Sequence, residues 1–273
     1  HPPRAKAKGR DVWPLDEGWN QLKQLVQVLA NGVPGDGGME PLVDSAPAQL
    51  PAIVQQDNVW AQGQTVTGLV VPPDGSADAV LAMADSLGRR FDAQFRRYAR
   101  NRMFASGQAT DLRDSLQAGA GFGITLPNVY HPLEQTDSVR IFRSESQVGG
   151  TLFRSIAIAS RDSVQNLDAQ QVVAWRDSLS ARYYTRPDQA TQRDTLLVDT
   201  LANGALEVQG VWRSTDASYP EAGVFITRAV PCPAQERIYL LDAWLLAPGR
   251  SKYEYLIQFQ NILDSFACTG AQA

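Results

Sequence analysis

Histidine is almost missing from this sequence: His1 and His131 are the only two in 273 residues. That excludes a histidine-based catalytic triad and a multi-histidine metal site. His131 stands beside Pro132 in a loop and reads as a surface or hydrogen-bonded residue rather than a proton carrier. Cysteine is as scarce, with Cys232 and Cys268 alone, and no C-x-x-C-H occurs, so the chain attaches no c-type haem itself. Outside the first ten residues lysine is limited to Lys23 and Lys252. Lys252 falls in the first turn of an expected helix, where a solvated side chain is a simpler reading than a desolvated nucleophile. No stretch approaches the ~18 apolar residues of a membrane-spanning helix. A formal net charge of −4 supplies no basic surface for phosphate contacts, which argues against a nucleic-acid binder. No catalytic residue, metal ligand or cofactor is therefore assigned from the sequence.

The signal that is present concentrates in the last third. Arg237 to Ala247, RIYLLDAWLLA, is too continuously apolar for a half-exposed strand and reads as a central one covered on both faces. After it, Ser251 and Glu254 have the spacing of a capping box. Tyr255, Leu256, Phe259, Ile262, Leu263 and Phe266 then recur at three- and four-residue steps, an apolar helix face that must lie on a sheet. A strand of about ten residues carries the chain about 33 Å from the turn at Pro231 to Ala234. A helix of about sixteen brings it back about 24 Å. Cys268 thus returns toward Cys232, within reach of the roughly 4.4–6.8 Å Cα separation of a disulfide. Two unrelated buried thiols are the alternative. The bridge is preferred because both cysteines sit at element ends, and it implies an oxidising compartment. No zinc site follows from two cysteines with thirty-five residues between them and no neighbouring histidine.

Further back, a strand, a turn-rich loop and an amphipathic helix recur in that order. Gln64 to Val71 leads through PPDGS to a helix from Ala77 to about Phe104. Thr151 to Ser160 leads to a helix ending near Tyr183, with Asp168 and Gln171 as its capping pair. Strand candidates Phe122 to Leu126 and Val139 to Ser144 precede the second unit; Ala205 to Ser214 and Gly223 to Val230 precede the third. The expected fold is α+β: an antiparallel or mixed sheet from two tandem βββα units, helices mainly on one face, plus an N-terminal α/β segment. Residues 1–12 read as a flexible basic tether, 13–118 as an N-terminal helix, strand and long-helix region, and 119–270 as the tandem region, continuous with it. Asp16 to Asn31 is expected to be helical, and Gly32 to Pro51 a long surface connection. GAGFG at Gly119 to Gly123 precedes a strand instead of opening a helix, so it reads as a turn and not as a phosphate loop.

Candidate binding surfaces are few. Arg89, Arg90, Arg96, Arg97, Arg100 and Arg102 crowd the second half of the Ala77 helix beside a stripe of Val80, Ala84, Leu87, Phe91, Phe95 and Tyr98. Arginines of this kind ordinarily lie over a core edge with their heads in water, and Asp85 and Asp92 neutralise part of the charge. The alternative is docking to an acidic protein face or to anionic lipid. Asp111 and Asp114 are read as solvated acids rather than an acid–base pair. Trp175, Trp212 and Trp244 are expected in the core.

Several stretches, taken in order, resemble a bacterial lipoprotein family catalogued as domain of unknown function 4837. They are VWAQGQTVTGLV (59–70), the Arg-rich helix, GFGITLPNVY (121–130), AWRDSLSARYY (174–184), LEVQGVWRS (206–214) and LLDAWLLAPGRSKYEYLIQFQNILDSF (240–266). Matching positions include Arg176 and Asp177, Gly210 and Trp212, Phe225, Pro248 and Lys252. The chain departs from the family pattern at EAGVF, where a Gly-Gly-Pro-Phe-like stretch is expected, and at TRPDQATQRD, which replaces a Gly- and Tyr-containing segment. More loosely, the closing strand and helix look like a PsbP or Mog1 type of domain, an analogy of fold. The resemblance implies a lipid-bearing cysteine before His1, consistent with a chain that begins without Met. The expected function is a non-catalytic, exported, membrane-tethered accessory or scaffolding subunit of an envelope complex, a respiratory or transport assembly being one possible host. Its partners would be other subunits of that assembly and the membrane through its anchor, contacted through Arg89, Arg90, Arg96, Arg97, Arg100, Arg176, Asp177, Trp212 and Lys252. A periplasmic small-ligand binder, with a pocket near Arg176, Asp177 and Trp212, and a hydrolase of unrecognised type are the alternatives.

Overall fold

The computed structural model describes residues 24–30, 46–58, 65–72, 77–162, 167–184, 187–216 and 218–270. The chain divides into two compact units, residues 1–98 and 99–273. In the first, β1 (Gln24–Ala30), β2 (Ala52–Asp57) and β3 (Thr65–Val71) form a sheet in the order β1-β3-β2. The β3 sequence TVTGLVV is rich in β-branched residues and suits a covered middle strand, and all but its first residue are buried. It pairs in parallel with β1 and antiparallel with β2. The helix expected over Asp16 to Asn31 is corrected here: Gln24–Ala30, QLVQVLA, is a strand. Its apolar residues satisfy helical spacing, but an open edge on β3 outweighs so weak a local preference. The rest of that span and the basic tether lie outside the described residues, as does most of the Gly32 to Pro51 connection. Two helices follow, α1 (Ala77–Ala82) and α2 (Ala84–Met103), interrupted at Met83 where one continuous helix was expected.

The second unit is built on a seven-stranded antiparallel sheet. Its strands are β5 (His131–Gln135), β6 (Val139–Ser146), β7 (Leu152–Asp162), β8 (Ala190–Thr200), β9 (Leu206–Arg213), β10 (Ala222–Cys232) and β11 (Arg237–Leu246). Their spatial order is β5-β6-β7-β11-β10-β9-β8. The two runs of strands meet at the β7/β11 pair, whose register runs from Arg237↔Asp162 to Leu246↔Phe153. As its continuous apolar sequence required, β11 is buried everywhere but at Arg237. A separate short pair joins β4 (Phe122–Gly123) to β12 (Ala267–Cys268). GAGFG is a turn into β4, with Gly121 at φ +78°, a left-handed conformation that favours glycine.

Three helices complete this unit: α3 (Thr110–Gly119), α4 (Ala169–Tyr183) and α5 (Tyr253–Asp264). Phe259, Ile262 and Leu263 of α5 pack with Phe142, Ile156, Ile226, Leu241, Ala243 and Leu245. Val172, Val173 and Leu179 of α4 pack with Ile141, Ala157, Phe225, Leu240 and Trp244. These strand residues alternate in sequence, so the two clusters lie on opposite faces of the sheet. Helices thus cover both faces where placement mainly on one was expected, as central strands apolar on both sides demand. The α4 capping box forms as read: Gln171 N donates to Asp168 Oδ1 at 2.8 Å, and Asp168 N to Gln171 Oε1 at 3.0 Å. The box expected at Ser251 and Glu254 does not. The helix α5 starts at Tyr253 with Lys252 at its N-cap and no side-chain cap, and Glu254 accepts from Arg102 and Gln258 instead.

Candidate functional site

The most deeply buried ion pair among the described residues lies between α4 and the sheet. Arg176, Ser180 and Tyr184 follow one another at four-residue steps, which sets them in a single stripe along the helix, facing Asp242 of β11. Arg176 and Asp242 are both fully buried. The Arg176 Nε donates to Asp242 Oδ1 at 3.0 Å, Nη1 to Thr191 Oγ1 at 2.9 Å and Nη2 to Gln189 Oε1 at 2.6 Å. Its flat guanidinium lies 3.9 Å from the centre of the Phe225 ring, an arrangement that suits a weakly hydrated planar cation. Asp242 Oδ1 also accepts from Thr227 Oγ1, and its Oδ2 accepts from the Tyr184 hydroxyl at 2.8 Å. Burial, then the negative charge of Asp242, pushes the Tyr184 phenol well above its ordinary range, so it remains a protonated donor at neutral pH. The guanidinium and the carboxylate thus engage one another and the oxygens of their hydroxyl and amide neighbours, which holds α4 to the sheet; of this network the Gln189 Nε2 alone is buried without a partner.

Of the residues that carry the family resemblance, Gly210, Trp212 and Phe225 gather around this pair, whereas Pro248 and Lys252 belong to the loop before α5. A side chain at Gly210 would meet Leu196 Cδ2 at 2.9 Å and Phe225 Cε1 at 3.0 Å, so the glycine leaves the room that the Phe225 ring occupies beside Arg176. Trp212 is fully buried and meets Trp244 edge-on, 5.7 Å between centroids. Arg176, expected on a binding surface, is therefore an interior residue, and Trp212 takes the core place expected of it and not that of a binding surface. The space that a small-ligand pocket beside them would need is occupied by Phe225, Tyr184 and Asp242. Asp177 is half-buried beside the pair: its Oδ1 accepts from Thr191 Oγ1 at 2.6 Å, the hydroxyl that Arg176 also reaches, and its Oδ2 pairs with Arg193 at 2.7 Å. Lys252 donates to the carbonyls of Ala247 and Arg250 at 2.5 and 2.6 Å and closes the loop before α5. Arg89, Arg90, Arg96, Arg97, Arg100 and Arg102 are all exposed along α2. Arg96 pairs with Asp92, Arg90 donates to Gln55 and Arg89 to Ser86. Trp244 is buried as expected, whereas Trp175 is half-buried with Arg161 over its ring.

The reading from residue types missed Asp242, Thr227, Tyr184, Gln189 and Thr191. One signal was there: a single carboxylate inside RIYLLDAWLLA, a strand covered on both faces, has to find a buried cation. A second buried pair lies on the α5 face, where Arg228 donates to Glu207 at 2.6 Å and to Asp264 at 2.7 Å.

Cys232 and Cys268 form a disulfide with Cα atoms 6.0 Å apart. Around it, Gln235 Nε2 donates to the carbonyls of Gly121 and Thr269, both at 2.6 Å, and Tyr239 donates to Gln235 Oε1 at 2.8 Å. The rings of Phe122, Tyr239 and Phe266 pack within 5.2–5.6 Å of one another. The bridge therefore ties the end of β10 to β12 and holds the last residues against β4. Open pockets occur at the surface: one of 590 Å³ beside this clasp, lined by Asp137, Arg140 and Arg237 among others, and one of 420 Å³ lined by Phe153, Asp188, Ser214, Asp216, Tyr219 and Glu221. Among the described residues no helix is long and apolar enough to cross a membrane, and no group of three or more His, Cys, Asp or Glu is placed to hold a metal ion.

A family model described as "Domain of unknown function (DUF4837)" matches residues 109–265, more than half of the chain. No curated protein matches. Among solved structures, the chain is similar to the Ran-binding protein Mog1p of Saccharomyces cerevisiae, with 12% identity and a TM-score of 0.37 over 55% of this chain and 91% of that one. It is also similar to the cyanobacterial PsbP of Synechocystis, with 11% identity and a TM-score of 0.36 over 55% and 87% of the two chains. LpqN, involved in cell envelope biogenesis of Mycobacterium tuberculosis, shows 11% identity and a TM-score of 0.33 over 54% and 82%. These likenesses are of fold alone.

Proposed function

This chain belongs to the DUF4837 family, and on that premise we propose that it is an exported, lipid-anchored accessory or scaffolding subunit of a bacterial envelope complex, without catalysis of its own. One observation carries the reading. Three of the residues that carry the resemblance, Arg176, Trp212 and Phe225, are buried and make contacts within the interior, so shape and surface are what the molecule offers a partner. The Cys232–Cys268 bridge supports export, since such bonds persist in oxidising compartments.

The test is isolation of the native assembly from membranes under gentle solubilisation, with free thiols alkylated at lysis. The chain is expected to migrate with defined partner subunits and to carry no alkyl label before reduction. A monomer that leaves no partner behind, or a chain labelled at both cysteines, defeats the reading.

A further inference from the structure

The two edges of the seven-stranded sheet are unlike. On one side β5 is only five residues long, contains Pro132 and slips register between Pro132 and Glu134; these are the usual defences of an exposed edge. On the other, β8 runs for eleven residues, with a bulge between Gln192 and Leu197 and a regular ladder from Leu197 to Thr200, and among the described residues no strand pairs with its outer side. Leu197 and Val198 stand 69% and 51% exposed there. The direction of the free backbone groups follows from the hairpin that ends the strand. Leu201 N donates to Ala205 O at 2.8 Å and Gly204 N to Leu201 O at 2.9 Å, so Leu201 and Ala205 are a hydrogen-bonded pair. Alternation along the strand then turns Leu197 and Asp199 toward β9, and directs the N–H and C=O of Val198 and Thr200 outward.

The charge around this edge is acidic. Asp194 and Asp199 are exposed on β8, and Arg193 on the same strand is engaged by Asp177. At the start of the strand, where Ala190 pairs with Arg213, lies the 420 Å³ pocket with Asp188, Asp216 and Glu221 in its wall. Ser214 Oγ donates to Asp188 Oδ1 at 2.9 Å and steadies it, and Tyr219 is 72% exposed at the same pocket. Two copies of β8 laid edge to edge would crowd the carboxylates of both chains along one short ladder, which is destabilising. A strand bearing cations meets attraction instead.

We infer that β8 and the acidic pocket at its start form a docking site for an extended strand of a partner protein, apolar where it faces Leu197 and Val198 and basic where it reaches the pocket. The proposal rests on the reading of the chain as a partner-binding subunit. An antiparallel strand added to β8 runs its C-terminal end toward the pocket. In the β9 register, Thr200 to Ala190 spans Leu206 to Arg213, about 23 Å at strand rise, so about ten residues suffice. Lysine or arginine near that end meets the three carboxylates, with the Tyr219 ring as a face for the cation.

The probe is a blocked peptide of about ten residues, alternating Val and Thr with two lysines near its C-terminus, titrated against the full chain by fluorescence anisotropy. Saturable binding is expected, at least about tenfold weaker for Val198→Pro, which removes an outward amide and no ladder bond, and for Val198→Lys should the proline variant fail to fold. Asp216→Asn with Glu221→Gln is expected to weaken binding and flatten its dependence on salt, and glutamate in place of the peptide lysines to abolish it. Equal affinity across these folded variants, no binding by the wild type, or a homodimer that Val198→Lys dissociates would overturn the proposal. If the peptide fails while the native chain still co-purifies with its partners, the docking surface is wrong and the accessory reading stands.

Discussion

Replacing Arg176 by methionine tests the central claim that this residue is structural. The change leaves Asp242, fully buried, with only the hydroxyls of Thr227 and Tyr184 as donors. Stranding one member of a buried ion pair costs about 3–5 kcal/mol, and Arg176→Met is expected in that range. Asp242→Leu leaves the guanidinium with Thr191 and Gln189 alone and is expected to cost about as much. The double variant removes both charges together. Its loss should be only about 1–3 kcal/mol, the cost of the hydroxyls left unpaired, because exchanging a whole buried pair for apolar groups is often nearly neutral. The singles should thus exceed the double by several kcal/mol in sum. Urea unfolding followed by tryptophan fluorescence reads all four proteins, since Trp244 and Trp212 lie in the same cluster. Additive single effects, or an Arg176→Met loss below about 1 kcal/mol, would show that the pair does not hold α4 to the sheet.

Removing the bridge with Cys232→Ser and Cys268→Ser should cost about 3–4 kcal/mol, from the loop entropy that a sequence separation of 36 restores to the unfolded chain; equal urea midpoints for the oxidised wild type and the double serine variant would refute this. Burial pushes the Tyr130 phenol up to about 12, against the lowering effect of Arg154, and Tyr184 is raised as well. A raised acid stabilises the fold fully below its unfolded value near 10, and that share is lost as pH rises from there toward 12. Stability should therefore fall through this window, and Tyr130→Phe should make the fall shallower; an unchanged slope contradicts it. Gly223→Ala would drive a methyl into the Leu245 carbonyl and the Trp212 ring, and should destabilise by about 1–3 kcal/mol or more, read as a lower thermal midpoint; an unchanged midpoint would show that β10 can shift to make room.

Local chemistry was legible where one segment contains all the partners. The Asp168 and Gln171 box forms within four residues, and nothing distant competes for it. The Ser251 and Glu254 spacing is equally good, yet Glu254 is drawn to Arg102, far away in sequence, so the pattern alone misled. β5 and β8 escaped because an edge strand needs no buried face: β8 is exposed or half-buried throughout and so lacks the alternation by which strands are recognised. The site was half visible. Its arginine stood in a recognisable motif, but Arg176 and Asp242 are 66 residues apart, and only the crossing of α4 over β11 makes them partners.

What the order of residues determined without help was the α+β class, the doubly covered central strand, and the return of Cys268 toward Cys232, because element lengths and apolar runs obey geometry that each segment carries within itself. The tertiary structure decided which face each helix covers, that Gln24–Ala30 is a strand, and that Arg176 and Trp212 point inward. Those outcomes depend on which distant surface is available to be buried or paired, and that competition is settled only when the whole chain has folded.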